Sequence, residues 1–339
     1  MVGLTPGNGD GGASEYGAVF RGLNTLSAVL SIAGCIAIVA TFLLHTKLRR
    51  FFGRLILYLA ISDLWLCTAM LMGQSPAPHY TKCYVQSGLG TFFGLASILW
   101  TVAIADSLRR VLLAHDLSLE SKYEMRLHLF AWGLPSLAVA VCIGAGVFGP
   151  AGMMCWIRNT VLGTVIRFVT FYIPLWIAIG YCVWVYWEVT AVMGPLIEQQ
   201  NIDGEGGEVI SRRRQDDIKQ QRHALRCLLL LPLTLVFCWT PSSIRRVVDI
   251  FIPDLGWTPL DYICVLAGPL QGALNAVIYG ATPAVREAVS GRFDHSTWKL
   301  RLIQTRLRGL RQGIRSFEQF EDGDLPAHAE HRSAARHPP

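Results

Sequence analysis

Seven long apolar stretches separated by polar segments constrain this chain more than any other feature. A helix needs about 20 apolar residues to cross a bilayer, where each backbone N–H and C=O must be bonded within the chain. We number the stretches span 1 to span 7; they are 22–45, 55–76, 84–113, 127–149, 160–193, 225–252 and 258–281. The sequence therefore predicts an all-α membrane protein, a bundle of seven transmembrane helices.

Composition supports a lipid environment and argues against a soluble helical protein and against a nucleic-acid-binding protein. Hydrophobic residues make up 52% of the 339 residues, and a large soluble helical protein with seven such buried stretches would have almost no polar surface. The net charge of +6 does not indicate nucleic-acid binding, because the stretch 299–315 alone carries six basic residues and no acid. We therefore expect a lipid bilayer, and no nucleic acid, as a partner.

Basic residues orient the bundle. Lysines and arginines concentrate in the segments after spans 1, 3, 5 and 7, whereas the opposite side carries only Arg21, Lys82 and Arg158. The positive-inside rule predicts an extracellular N-terminus and a cytosolic C-terminus. We expect no removable signal peptide, since no basic region or cleavage site precedes span 1.

Four regions follow from this pattern. Residues 22–281 form the seven-transmembrane domain, between a Gly-rich extracellular tail, 1–21, and a polar C-terminal tail, 318–339, both expected to be disordered. Within 282–317, apolar residues recur at spacings of three and four between arginines. That spacing predicts an amphipathic helix on the cytosolic membrane surface.

Two of the nine cysteines stand apart from the rest. Cys83 and Cys155 lie on the outer side, at the start of span 3 and in the loop after span 4, whereas the other seven fall within spans. Because a disulfide persists on the oxidising side of a membrane, we predict that these two form one. The alternative is two free thiols, since spacing alone does not prove pairing.

Polar residues inside spans are costly and so mark functional positions. Asp63 lies in the middle of span 2 and Ser97 deep in span 3, while Asn275 and Tyr279 are one turn apart in span 7. We predict that they form a central polar network. Two interpretations stay open: the network holds water or an ion such as sodium, or neighbouring hydroxyls and amides simply satisfy Asp63.

Span 6 combines a helix-weakening proline with a candidate ligand site. Pro241 removes a backbone donor and kinks the helix, and Trp239 and Arg246, seven residues apart, share a face. Arginine matches phosphate or carboxylate, so an anionic ligand in the outer half is one hypothesis. The candidate ligand-binding residues are Arg246, Arg167, Arg158, Asp249 and Lys82. The alternative is that Arg245 and Arg246 reach the interface or neutralise Asp249 and Asp261.

Enzymes and retinal pigments fit the sequence poorly. HExxH, P-loop and paired-cysteine zinc patterns are all missing from it. A retinal protein needs a lysine within a span, and all five lysines lie outside the span interiors. We expect no catalytic residues, no metal and no cofactor.

Several motifs together resemble one receptor family. They are "LLLLPLTLVFCWTPSSIRRV" in span 6, "GPLQGALNAVIYG" in span 7, "AISDL" in span 2, the outer-loop "CW" and the cysteine at the start of span 3. Over residues 22–290 the chain resembles the cyclic-AMP-receptor-like, or class E, G-protein-coupled receptors of slime moulds and fungi. The resemblance implies a multi-pass plasma-membrane receptor that binds a small extracellular ligand, cyclic-AMP-like or a nutrient, and activates a heterotrimeric G protein.

The resemblance also assigns roles to residues. It implies that Trp239 and Pro241 form the pivot of span 6, that Asp63, Asn275 and Tyr279 form the inner network, and that Cys83 bonds Cys155. The candidate G-protein contacts are Arg109, Arg110, Arg212, Arg213 and Arg214, although charges there also serve topology alone.

The sequence departs at two positions from motifs of the larger rhodopsin-like group that take part in receptor switching. Its Asp-Arg-Tyr step is replaced by "ADSLRRVL", where Asp106 and Arg109 are a candidate substitute pair, and Ala276 follows Asn275 where that group has proline.

The alternative function is a transporter or channel that uses the polar residues of the bundle as a permeation path.

Overall fold

The computed structural model describes residues 10–72, 80–113, 122–151, 154–206, 212–252 and 258–290. In that part of the chain, seven helices are long and apolar enough to cross a membrane, which confirms the predicted bundle. The spans are Asp10–Leu44, Phe51–Met72, Tyr80–Leu113, Lys122–Gly144, Val161–Arg167 continuing through Phe168–Tyr172 into Ile173–Gly206, Arg212–Phe251 and Pro259–Ala281. Short helices Thr46–Leu48 and Pro283–Ser290 follow spans 1 and 7. The side carrying the Cys83–Cys155 pair is called outer below.

Helix ends differ from the predicted spans where polar residues extend a helix or glycine ends it. The first helix begins at Asp10, before the predicted start of span 1 at residue 22. Apolar content marks only the bilayer-crossing part of a helix, and polar turns can continue it into water. Span 4 ends at Gly144 rather than at 149, and Gly146 follows with a φ of 60° that favours glycine. The amphipathic segment beyond Ser290 lies outside the described residues.

An outer hairpin covers the end of span 3. Strands β1, Phe148–Ala151, and β2, Met154–Ile157, pair antiparallel. Cys155 on β2 forms the predicted disulfide with Cys83, which is confirmed. Its N–H also donates to Gln86 Oε1 at 3.2 Å, and Trp156 Nε1 donates to Thr91 Oγ1 at 3.0 Å. The hairpin is therefore fixed to span 3 covalently and by side-chain hydrogen bonds.

Span 5 contains a wide π-helical turn, Phe168–Tyr172, just before Pro174. Proline has no N–H to donate, and its ring crowds the carbonyl four residues earlier in the helix. A wider turn relieves this crowding. The N–H of Ile173 accordingly bonds to Phe168 O, five residues back. Phe171 and Tyr172 are both buried as a result, and the Phe171 ring lies 5.3 Å from that of Trp239. The turn thus directs two aromatic side chains toward span 6.

Spans 1 and 7 pack closely because glycine and serine occupy their contact. A Cβ on Gly272 would lie 2.7 Å from Cys35 Sγ and 3.2 Å from Asp63 Cβ. The Ser31 hydroxyl donates to Pro269 O and accepts from the Ala273 N–H at 2.9 Å. Ser31 therefore bridges the turn of span 7 that follows Pro269.

We expect Gly272→Ala to lower the free energy of unfolding by about 1–3 kcal/mol, because the added methyl overpacks this contact. The matched control is Gly280→Ala, in the same helix, where a Cβ meets no atom within 4 Å among the described residues. Thermal unfolding of purified protein in detergent measures both. Equal melting temperatures for the two variants would show that the contact has room to spare.

Candidate ligand cavity and polar chain

An outer cavity of about 200 Å³ lies between spans 1, 2, 5, 6 and 7 and the hairpin. Its volume suits a small molecule rather than a peptide. The lining residues are Phe20, Asn24, Met70, Met154, Tyr172, Trp239, Ser242, Arg245, Arg246, Asp261, Cys264, Val265, Gly268 and Pro269. Its wall is therefore mostly apolar, with a few charged groups from spans 6 and 7.

Those charged groups are paired. Arg245 contacts Asp249 at 2.6 Å and donates through Nε to Asp261 at 2.7 Å. Arg246 contacts Asp249 at 3.0 Å and donates through Nε to the Tyr172 hydroxyl at 3.1 Å. Both arginines are therefore in ion pairs with aspartates, which is one of the two alternatives that the sequence left open. Asp249 is shared between the two arginines.

The other predicted ligand residues lie elsewhere. Arg167 is 4% exposed, donates to Ile157 O and to Asn159 Oδ1, and lies over the Trp156 ring. Arg158 donates to Gly146 O, and Lys82 is exposed in the first turn of span 3. These three described side chains stand outside the cavity lining. Arg167 and Arg158 fix the hairpin, a role that sequence position alone does not distinguish from ligand binding.

A chain of hydrogen bonds begins in the cavity. Trp239, 7% exposed, donates through Nε1 to Gln271 Oε1 at 2.6 Å. Gln271 Nε2 donates to Ser97 Oγ at 3.0 Å, and Ser97 Oγ donates to Asp63 Oδ1 at 2.5 Å. The contacts join spans 6, 7, 3 and 2 in that order.

The chain continues from Asp63 toward the inner side. Asn275 Nδ2 donates to Asp63 Oδ2 at 2.9 Å, and Thr234 Oγ1 donates to Asn275 Oδ1 at 2.7 Å. Tyr279 is buried one turn further along span 7. A hydroxyl and an amide therefore satisfy Asp63, as one of the two earlier interpretations held. We call the six residues from Trp239 to Thr234 the polar chain.

Sequence reasoning missed two members of the polar chain. Gln271 lies one turn before Asn275, so the spacing 271, 275, 279 carried a usable signal for a polar face. Thr234 carried none, because a threonine within a helix commonly bonds its own backbone, and the Thr234 hydroxyl also lies 2.7 Å from Leu231 O.

The inner end of span 3 holds a second cluster, the Asp106 cluster. Asp106 accepts from Arg110 Nε at 2.7 Å, from the Tyr123 hydroxyl at 2.5 Å and from the Tyr181 hydroxyl at 2.7 Å. The expected pairing of Asp106 with Arg109 is wrong.

Arg109 instead ties span 3 to span 5. Its Nε donates to Glu188 at 2.7 Å, and its guanidinium lies 4.6 Å from the Trp184 ring centroid. Arg212, Arg213 and Arg214 begin the span 6 helix, and their side chains fall outside the described part.

A family model covers most of these features. Residues 16–255 match the model described as "Slime mold cyclic AMP receptor". The match includes the disulfide, Asp63, the Asp106 cluster and the Trp239–Pro241 step. The chain belongs to this family. The expected resemblance is confirmed.

Individual relatives agree with the family. The receptor is 30% identical to "G-protein coupled receptor 1" of Arabidopsis thaliana over 277 residues, 82% of each chain. It is 26% identical to "Cyclic AMP receptor-like protein A" of Dictyostelium discoideum over 263 residues, 75% of this chain and 62% of that one. A squid rhodopsin structure matches with a TM-score of 0.60 at 16% identity, over 81% of this chain and 85% of that one, which shows the fold alone.

Family and fold together settle the class of protein. The receptor is a multi-pass plasma-membrane protein of the G-protein-coupled class and not an enzyme.

Proposed function

We propose that the receptor binds a small extracellular ligand in the outer cavity and thereby activates a heterotrimeric G protein. One observation carries the proposal: the polar chain starts at Trp239 in the cavity lining and reaches Asp63, Asn275 and Thr234. A ligand that displaces the Trp239 ring therefore disturbs hydrogen bonds that hold spans 3, 6 and 7 together.

Span 6 is the element that such a ligand would move. Pro232 and Pro241 both lie inside its helix, and each removes a backbone hydrogen bond. A ligand that fits the moved state better shifts the population toward it, by no more than its difference in affinity for the two states. The inner half of span 6 then swings about Pro241.

On the inner side, spans 3, 4 and 5 are bonded to one another, so span 6 can move relative to them. Asp106, Arg110, Tyr123 and Tyr181 join spans 3, 4 and 5, and the Arg109–Glu188 pair also joins spans 3 and 5. Movement of span 6 leaves these bonds intact. The surface opened beside Arg109 and Arg110, together with the Arg212–Arg214 run, is the proposed contact for the G protein.

Arg246 is the proposed anion-binding group within the cavity. Its pair with Asp249 is partly exposed, with side chains 35% and 29% accessible. Asp249 stays paired with Arg245 when Arg246 turns away, so Arg246 can transfer to a ligand at low cost. Transfer of Arg245 would leave Asp261 without its ion pair, with hydrogen bonds from Thr258 alone among the described residues.

We expect Arg246→Ala to raise the half-maximal ligand concentration about 10- to 100-fold, the range for one hydrogen bond to a charged group. The assay is nucleotide exchange on purified heterotrimeric G proteins, added to membranes and screened with cyclic nucleotides, sugars and amino acids. Arg21→Ala is the control, since it removes an exposed arginine from the outer part of span 1. Full potency in Arg246→Ala would remove this residue from the site.

A further inference from the structure

Arg167 is a buried positive charge that takes part in no ion pair with the described residues. It is 4% exposed, and its Nη2 donates to Ile157 O and, at 2.7 Å, to Asn159 Oδ1. Both acceptors are neutral, and the ion pairs of the described residues do not include Arg167. Since arginine stays charged even when it is buried, the positive charge of Arg167 is not neutralised by direct contact.

Two aromatic rings connect Arg167 to the cavity lining. Its guanidinium lies 5.1 Å from the centroid of the Trp156 ring, and that ring lies 6.1 Å from the Tyr172 ring. The Tyr172 hydroxyl accepts from Arg246 Nε at 3.1 Å, and both of these residues line the cavity. The charge of Arg167 therefore acts on Arg246, which it repels.

Positive charge exceeds negative charge around the cavity. Arg245 pairs with both Asp249 and Asp261, and Arg246 pairs with Asp249. Arg167 is attracted to Asp249 from beyond ion-pair distance. Three arginines thus share two aspartates, and the group carries a net charge of +1. The other charged side chains described on the outer side are all exposed and basic; they are Arg21, Lys82 and Arg158.

We propose that Arg167 determines the specificity of the outer cavity: its charge favours ligands with a carboxylate or phosphate group over neutral or cationic ligands, without touching them. Arg246 makes the contact. A charge beside an apolar wall acts more strongly than the same charge in water. A cleft with an excess of one sign concentrates ions of the opposite sign about 10- to 1,000-fold. The inference rests on the proposed function for the location of the ligand site, and it adds the residue that selects ligand charge.

Cys264 provides a direct test, because it is a free thiol in the cavity lining. The probes are three methanethiosulfonates with the same reacting group, the anionic 2-sulfonatoethyl, the neutral 2-hydroxyethyl and the cationic 2-(trimethylammonio)ethyl reagents. Peptide mass spectrometry measures their rates at Cys264 of the full-length receptor in a non-ionic detergent. Each rate is divided by the rate of the same reagent with free cysteine, which removes the intrinsic differences between the reagents.

We expect the anionic reagent to react about tenfold faster than the cationic one, with the neutral reagent between them. Equal rates or the reverse order overturn the inference. Modification of Cys264 by none of the three also overturns it, since the cavity would then not admit small anions.

Two variants separate the charge of Arg167 from its contact with the hairpin. Arg167→Gln removes the charge and keeps an amide donor, so we expect the preference for the anionic reagent to fall by about threefold or more. Arg167→Lys keeps the charge and loses the planar fork, so we expect it to retain the preference. If Arg167→Lys lowers the preference as much as Arg167→Gln, the residue acts through the hairpin alone and the inference fails.

Arg158→Gln is the matched control, because Arg158 also bonds the hairpin but is exposed. At high salt an exposed charge is screened and a buried one much less, so we expect only Arg167→Gln to change the preference there. Equal effects of the two variants contradict the inference, and if Arg167→Gln does not fold, the wild-type rates and Arg167→Lys decide.

The reagents need no G protein, so the two proposals can fail separately. A preference for the anionic reagent without ligand-driven nucleotide exchange would sink the proposed function alone. Exchange that depends on Arg246, together with equal reagent rates, would sink this inference alone.

Discussion

Asp106→Ala is expected to lower the free energy of unfolding by about 2–4 kcal/mol, because three donors lose their acceptor at once. They are Arg110 Nε, the Tyr123 hydroxyl and the Tyr181 hydroxyl. The Asp106 side chain is 20% exposed, so water replaces part of the loss. Thermal or denaturant unfolding of purified receptor measures the effect.

Single variants divide this effect among the donors. Tyr123→Phe and Tyr181→Phe each remove one hydroxyl and are expected to cost about 1 kcal/mol. Arg109→Gln is the control, since it breaks a neighbouring pair whose side chains are 33% and 26% exposed, worth about 1 kcal/mol or less. If Arg109→Gln destabilises as much as Asp106→Ala, the Asp106 cluster is not the main tie between spans 3, 4 and 5.

Gln271→Leu is expected to uncouple the cavity from the inner half of the bundle. It leaves Trp239 Nε1 without its acceptor and removes a donor from Ser97 Oγ. We expect ligand-stimulated nucleotide exchange to fall about 5- to 150-fold, the usual size of a coupling free energy. Ligand binding itself should persist, because Gln271 lies outside the cavity lining as described.

A double-mutant cycle with Trp239→Phe isolates the bond between the two side chains. A coupling energy of about 0.5–3 kcal/mol in stability is expected, since each single variant breaks the same contact. Thr240→Val serves as a control in the same helix, because the hydroxyl of Thr240 donates to its own helix backbone, at Val236 O. Strict additivity of Gln271→Leu and Trp239→Phe would mean that the contact carries no coupling.

The sequence predicts the parts of this fold that hydropathy and topology determine. Span number, the outer disulfide and the meeting of Asp63 with Asn275 all follow from apolar length, sidedness and the cost of polar groups in lipid. The contact partners of individual arginines do not follow. Arg167, Arg158 and Arg246 lie on the same side of the bundle, and only three-dimensional packing separates those that hold the hairpin from the one in the cavity.

Local backbone changes also stay hidden in the sequence. Pro174 signals a disturbance in span 5, but not that a wide turn directs both Phe171 and Tyr172 inward. The sequence predicts that Asp106 pairs with Arg109, whereas in the structure Asp106 pairs with the next residue, Arg110. Such choices depend on neighbouring helices, which a single span does not specify.

The central claim is that this bundle is a ligand-driven switch for a G protein and not a permeation path. Its most direct test reconstitutes purified receptor into liposomes with heterotrimeric G protein and measures nucleotide exchange and solute or ion flux in the same preparation. Ligands from the screen are added from the side that carries the disulfide. Exchange that rises with ligand, without flux, is the expected result; flux without exchange would contradict the claim and favour a transporter or channel.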